Sequence, residues 1–194
     1  MYHIRKYNPS DRERLRYICK ETAWDSYKKT DNRSETVAIM FNDYFTQYES
    51  DNIFVAVDEE DTVFGYIICS SDYDLFIRKN KEEFLPKAKR LYYPITYVHK
   101  AVCKALKDIK ENEKRAHIHI DLLPPAQHQG LGLQFLETLS DHLYKKGVQY
   151  MSVCCVNTGA DSYKLCKKFG FETYKKSPFN TETLIIKTKE KRNG

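Results

Sequence analysis

Three ionisable side chains alternate along residues 116 to 123: His117, His119 and Asp121. In an extended strand, alternate residues share a face. These three are therefore expected together, opposite Ile118, Ile120 and Leu122. Such a face on a central strand is costly unless it is paired or wet. A histidine two residues from an aspartate makes a proton acceptor with a tuned pKa. The plainer alternative is a buried polar cluster that satisfies helix ends. Directly afterwards comes Gln127-His128-Gln129-Gly130-Leu131-Gly132, a Q-x-x-G-x-G. Glycines at that spacing let a ligand approach the backbone. The helix that follows opens with free N–H groups and the positive end of its dipole. The amides from His128 to Leu133 can therefore point at an anion, although a tight strand-to-helix turn without a ligand would read the same way.

A second chemical region follows at Val156-Asn157-Thr158-Gly159-Ala160 and Tyr163-Lys164-Leu165-Cys166. Asn157 is placed either to hold a ligand or to start a helix. Tyr163 lies one helical turn from Cys166 on the same face. Cys166 could act as a nucleophile, but no histidine adjoins it, and a buried thiol is the simpler reading.

The elements that must position these groups are legible in outline. Residues 2 to 7 read as a strand. Ser10-Asp11-Arg12-Glu13 has the form of a capping box, which predicts a helix from about 11 to 23. Val37, Met40, Phe41, Tyr44, Phe45 and Tyr48 recur at three- and four-residue spacing and predict a helix over 35–49. Residues 52–57 and 62–70 flank the polar turn Asp58 to Asp61 as a hairpin. Residues 72–114 are rich in Lys, Glu, Leu and Tyr and carry helical periodicity, broken by Pro86 and Pro94. Strand 116–123, helix 130–146, strand 148–156, helix 159–169 and strands near 171–176 and 182–188 complete the chain. This alternation argues a mixed α/β sheet, and nothing divides 1–194 into more than one domain.

Composition bounds the rest. A chain of 194 residues can bury a real core. With 30% charged and 41% hydrophobic residues, neither disorder nor a membrane protein is indicated. No apolar run could span a bilayer, and the N-terminus has no secretory h-region. The six cysteines show no C-x-x-C and read as reduced thiols of a cytoplasmic protein. Much of the net charge of +5 sits at Lys175-Lys176 and from Lys187 to Arg192. That reads as solvated surface in preference to a nucleic-acid patch.

The run HIHIDLLP…QGLG, with the later V-N-T-G-A and Lys168-Phe169-Gly170-Phe171, resembles motif A and its neighbours in the GNAT family of N-acetyltransferases. Within that family it looks most like the acetyltransferase-like domain of O-GlcNAcases and its free-standing bacterial relatives. The resemblance implies a GNAT fold: a mixed sheet of six to seven strands flanked by helices. It also implies a helical insert, about 72–114, between the third and fourth strands. That insert either walls the acceptor site, joins two copies in a homodimer, or only thickens the core.

The implied activity is transfer of an acetyl group from acetyl-CoA to a primary amine in a direct ternary complex, with no metal. The turn amides and Gln127 would then hold the pyrophosphate of the coenzyme. The backbone of Leu122 would pair with its pantetheine arm, Leu123 would meet the acetyl carbonyl, and Asn157 would steady the arm. Asp121 and His119 become the proton acceptors. The family's usual acid, a tyrosine four residues before the glycine of K-x-G-F, is here Cys166. The acid is then Tyr163, or water protonates the thiolate. Two other classes fit the same residues: a catalytically silent acetyl-CoA or CoA-binding module, supported by the displaced tyrosine, and an RNA-associated protein, supported only by the basic ends.

Overall fold

The structure is a computed structural model and describes residues 1–109, 115–177 and 180–190. Among these, seven strands form one sheet: β1 (His3–Lys6), β2 (Ile53–Val57), β3 (Val63–Ser70), β4 (Arg115–Leu122), β5 (Tyr150–Asn157), β6 (Glu172–Ser177) and β7 (Thr181–Lys187). Their order is β1-β2-β3-β4-β5-β7-β6. All neighbours are antiparallel except β4 and β5, which run parallel. The helices are α1 (Arg12–Thr22), α2 (Asp25–Lys28), α3 (Asp31–Ala38), α4 (Tyr44–Tyr48), α5 (Tyr73–Lys79), α6 (Leu85–Leu91), α7 (Ile95–Ile109), α8 (Leu131–Lys145) and α9 (Asp161–Phe169). The last residues of the predicted insert, 110–114, and the basic tail beyond residue 190 lie outside the described residues.

The sheet separates two cores. On one side Leu15, Ile18, Tyr44, Phe45, Tyr66 and Ile68 pack under α1, α3 to α5 and the rest of the insert. On the other side Ile67, Ile118, Phe135, Leu136, Leu139 and Cys166 pack under α8 and α9. Adjacent residues of β3, such as Tyr66 and Ile67, therefore enter opposite cores, as the two-residue period requires. Helix α8 forms because Leu131, Phe135, Leu136, Leu139 and Leu143 recur on one buried stripe.

Two expected helices differ in detail. The first is not capped by Ser10. A short 3-10 turn at Pro9–Asp11 precedes α1, and the Asp11 carboxylate accepts from the Asn8 N–H at 2.8 Å and from Arg5 at 2.8 Å. That ion pair commits Asp11 to the start of the turn, so α1 begins one residue later than predicted. The second helix starts earlier than expected, at Asp31, where the Thr30 hydroxyl accepts from the Arg33 N–H at 3.3 Å. It then widens into a π-type turn at Ile39–Asp43 before α4. The insert behaves similarly, with a π-type turn at Asn80–Phe84 between α5 and α6. Pro86 falls in the first turn of α6, where no N–H is needed. Helix α6 packs on α3, and α7 packs on β5. This places the insert over the polar face of β4.

Candidate functional site

The site forms where two strands part. Strands β4 and β5 pair in register at Arg115, Ala116 and His117, opposite Tyr150, Met151 and Ser152, and no further. The cause lies in β5, whose register against β7 slips between Val153 and Val156. The extra residues form a bulge, with Cys155 in the left-handed region at φ +54°. A bulge bends its strand and uncouples it from a neighbour. The opening between the strands continues into a cavity of about 300 Å³. Its floor is the polar face of β4, and Asn157, Ser162 and Cys166 line the β5–α9 side.

The edge of β4 that faces this gap can be identified from its other edge. Leu123 donates its N–H to Phe64 at 2.9 Å, so alternate residues along β4 bond β3. The backbone groups of Ile120 and Leu122 then point the other way, toward the gap. The Leu122 carbonyl already accepts from Gln127 Nε2 at 2.7 Å. Gln127 thus braces the strand end as well as adjoining the turn. Leu123 requires a correction: its N–H is committed to β3 and is not available to an acyl oxygen.

At the other end of the gap lies the glycine turn. A 3-10 turn at Pro124–Ala126 leads into it. His128 and Gly130 adopt φ +61° and +78°, which only glycine does without cost. Among the described residues, the N–H groups of His128, Gln129, Gly130, Leu131 and Gly132 have no partner within the chain. The sixth predicted donor, Leu133, turns its N–H back to the Gly130 carbonyl at 3.1 Å. Five unpaired amides at the start of a fifteen-residue helix make an anion cradle. Gly132 also lets α9 come close, because a β-carbon there would stand 2.8 Å from the Leu165 side chain.

The polar face of β4 holds the three predicted residues, but pairs them differently. His119 does not bond Asp121. Instead, His117 Nε2 and His119 Nε2 lie 3.0 Å apart and share one hydrogen. Phe41 and Phe45 meet the His119 ring edge-on, and Phe76 meets His117. Burial pushes His119 down to about 4 and holds His117 well below its usual value, with His119 adding to the effect. Both imidazoles are therefore neutral at physiological pH.

Asp121 instead accepts a 2.5 Å hydrogen bond from the hydroxyl of Tyr66, its direct partner across β3 and β4. Burial raises the Asp121 pKa, opposed chiefly by the hydrogen bond from Tyr66. Tyr66 was not singled out from the sequence. Its only signal is an alternating position in a buried strand, and register alone brings it to Asp121.

The depressed histidines make a stability prediction. A folded pKa below the unfolded value means that the unfolded chain binds more protons in between. His119 therefore supports folding fully above pH 6.5 and loses that support as pH falls toward 4. The loss amounts to about 2 kcal/mol by pH 5. Melting temperatures across pH 7.5 to 4.5 should fall, and His119→Gln should fall less steeply. Parallel profiles for the two proteins would contradict a neutral buried His119.

The remaining predicted residues divide. Asn157 is at the cavity, but its Oδ1 accepts from the Gly159 N–H at 2.8 Å. It shapes the entry to α9, and its Nδ2 has no partner among the described residues. Cys166 is fully buried and lines the cavity. Burial pushes its thiol up to about 12, so it lacks thiolate character. Tyr163 is not brought to the cavity. Its hydroxyl donates to Glu182 of β7 at 3.1 Å, where the Thr173 hydroxyl also donates at 2.7 Å. The carboxylate of the β6–β7 hairpin holds the phenol there, away from the cavity lining. Among the described residues, no group of three or more His, Cys, Asp or Glu side chains could hold a metal ion. No helix among them is long and apolar enough to cross a membrane.

Comparison with known proteins agrees with this geometry. The model of the acetyltransferase (GNAT) family matches residues 16–171. No curated protein sequence matches the chain. Among solved structures, SsHAT is similar at 22% identity and TM-score 0.75, covering 97% of this chain and 99% of that one. The Drosophila melanogaster polyamine N-acetyltransferase is similar at 14% identity and TM-score 0.61, covering 96% and 100%. The phosphinothricin acetyltransferase from Sinorhizobium meliloti, in complex with acetyl-CoA, is similar at 17% identity and TM-score 0.58, covering 100% and 94%.

Proposed function

The chain belongs to the GNAT acetyltransferase family, and from that premise we propose that it moves the acetyl group of acetyl-CoA directly to the primary amine of a small molecule in a ternary complex. The observation that carries this reading is the gap between β4 and β5. It has five free amides at one end, an unpaired strand edge along its side, and a buried carboxylate with a neutral histidine pair on its floor.

The residues fit the donor group by group. The N–H groups of His128 to Gly132 face the pyrophosphate of the coenzyme. The backbone of Ile120 and the Leu122 N–H bond the pantetheine arm as an added strand would, and Asn157 Nδ2 supplies one more donor. Acetyl-CoA brings the activated thioester. The chain supplies orientation and proton handling. Asp121 receives the incoming amine as its ammonium form and takes up a proton, with neutral His119 beside it as a second acceptor. Tyr66 holds one Asp121 oxygen and so aims the other. With Tyr163 bonded to Glu182 and Cys166 buried as a thiol, water reprotonates the departing thiolate. A coenzyme thiol is a fair leaving group and asks little of an acid.

One observation favours a second reading, a catalytically silent acetyl-CoA-binding module: Cys166 stands where a phenol would serve as acid. The two readings separate in one assay. An enzyme releases CoA thiol from acetyl-CoA only when small amines are added, and mass spectrometry finds the acetylated amine. Tight acetyl-CoA binding by calorimetry, with no amine-dependent thiol release from any pool, would establish the silent module instead.

A further inference from the structure

We infer that the amine acceptor is a monoamine with an apolar or aromatic body and no second charge. The inference rests on the acetyltransferase reading above and names the substrate class of that site. It follows from what faces the polar strand. Around Asp121 and His119 the cavity is walled by Trp24 and Tyr27 at α2, Val37 of α3, Phe41 of the π-type turn that follows it, and Val98 and Val102 of α7. All six are apolar or aromatic. Of the elements that supply them, the helix over 35–49 and the helical insert were anticipated from the sequence, and α2 was not.

The charge inventory is equally narrow. Among the described residues lining the cavity, Asp121 is the one carboxylate, and no lysine or arginine is present. Tyr66 already bonds one oxygen of that carboxylate, which leaves the other for a single ammonium. The second cation of a diamine or guanidino amine would lie against Phe41, Val98 or Val102 with nothing to replace its water. A carboxylate on the acceptor would meet Asp121 without a counter-ion. The hydroxyls of an amino sugar would find few partners on the same wall. The size of the cavity points the same way. About 300 Å³ must also admit the thioester end of acetyl-CoA, so a small body fits and a multi-ring polycation does not.

Aromatic rings have a further place to bind. Trp24 lines the cavity yet remains 66% exposed. Its ring stands 6.1 Å from that of Tyr27, which in turn packs edge-on against Tyr92 at 6.0 Å. An arylalkyl amine extending from Asp121 toward this rim can stack there, in the offset or edge-on arrangements that rings prefer.

The test is a kcat/KM comparison at saturating acetyl-CoA, read as CoA release and confirmed by product mass. Phenethylamine, tryptamine and hexylamine are compared with 1,4-diaminobutane, agmatine, glutamate and glucosamine. The uncharged-body amines should lead by at least about tenfold, and the two arylalkyl amines should exceed hexylamine. Val102→Glu, checked for folding by its melting temperature, should lower the arylalkyl rates and raise those of the diamines. Wild-type preference for a diamine, a carboxylated amine or an amino sugar would overturn the inference and leave the acetyltransferase reading intact. A folded Val102→Glu protein with unchanged preference would overturn it too, because the α7 wall would then not touch the acceptor. If no amine of any class released CoA while calorimetry showed acetyl-CoA bound, both readings would fall together.

Discussion

Glutamate in place of Gly130 should weaken acetyl-CoA binding by about a hundredfold or more, measured by calorimetry on folded protein. Gly130 stands at the entry to α8 with φ +78°, among the five amides that no group of the described residues occupies. A carboxylate grown from this position competes for those amides and repels the phosphates they would bind. It also opposes the coenzyme's charge at the positive end of a helix dipole. The backbone conformation adds a penalty of about 1–2 kcal/mol for any side chain, so Gly130→Ala is the matched control. A β-carbon there meets nothing closer than Gln134 Nε2 at 3.9 Å, so the alanine protein should fold and lose affinity far less. Gly132→Glu should also lose binding, but its β-carbon would press on Leu165 at 2.8 Å. That change therefore mixes packing with charge. Equal affinity in wild type and Gly130→Glu would remove the turn from the coenzyme site.

Asp121→Asn should slow turnover by about a hundredfold or more while leaving acetyl-CoA affinity nearly unchanged and raising the melting temperature. The first effect follows if this carboxylate receives the amine and its proton. The last follows from linkage. Burial raises the Asp121 pKa above that of the unfolded chain. Its contribution to stability is therefore present at low pH and lost as pH rises through the folded value. Wherever it is ionised, the group is a cost that the fold carries. The amide keeps the shape and can still accept from Tyr66, but has no charge to desolvate. A variant that is slower and more stable separates a functional carboxylate from a structural one. Wild-type turnover on a good acceptor would end the assignment.

Much of this site was legible because its signals are local. The alternation of His117, His119 and Asp121 along β4 depends only on the two-residue period of a strand. The glycine turn and the start of α8 depend only on backbone freedom and on the apolar stripe from Leu131 to Leu143. The helical character of the insert and the break at Pro94 are likewise properties of short segments, whereas at Pro86 the helical run continues, widened into the π-type turn just before it. These features also carry the resemblance to the GNAT family, and the family match over residues 16–171 agrees with it.

The rest depended on which distant segments meet. Nothing in Met151 to Asn157 announces that Cys154 and Cys155 bulge and part β5 from β4. A bulge is defined against its partner strand, which the local sequence does not contain. Tyr66 reaches Asp121 through the register of β3 on β4, across 55 residues. Tyr163 looked free to serve the thioester because its helix was placed correctly. Glu182, on a strand 19 residues away, takes its hydroxyl instead.

The sequence by itself determined which residues could do chemistry and which local elements carry them, because helix and strand periods, glycine turns and dipoles act within a few residues. Only the tertiary structure decided which of those groups are paired, which stay open to a ligand, and what walls face them. Hydrogen-bond partners, burial and the pKa shifts that follow from it are set by contacts between segments far apart in the chain.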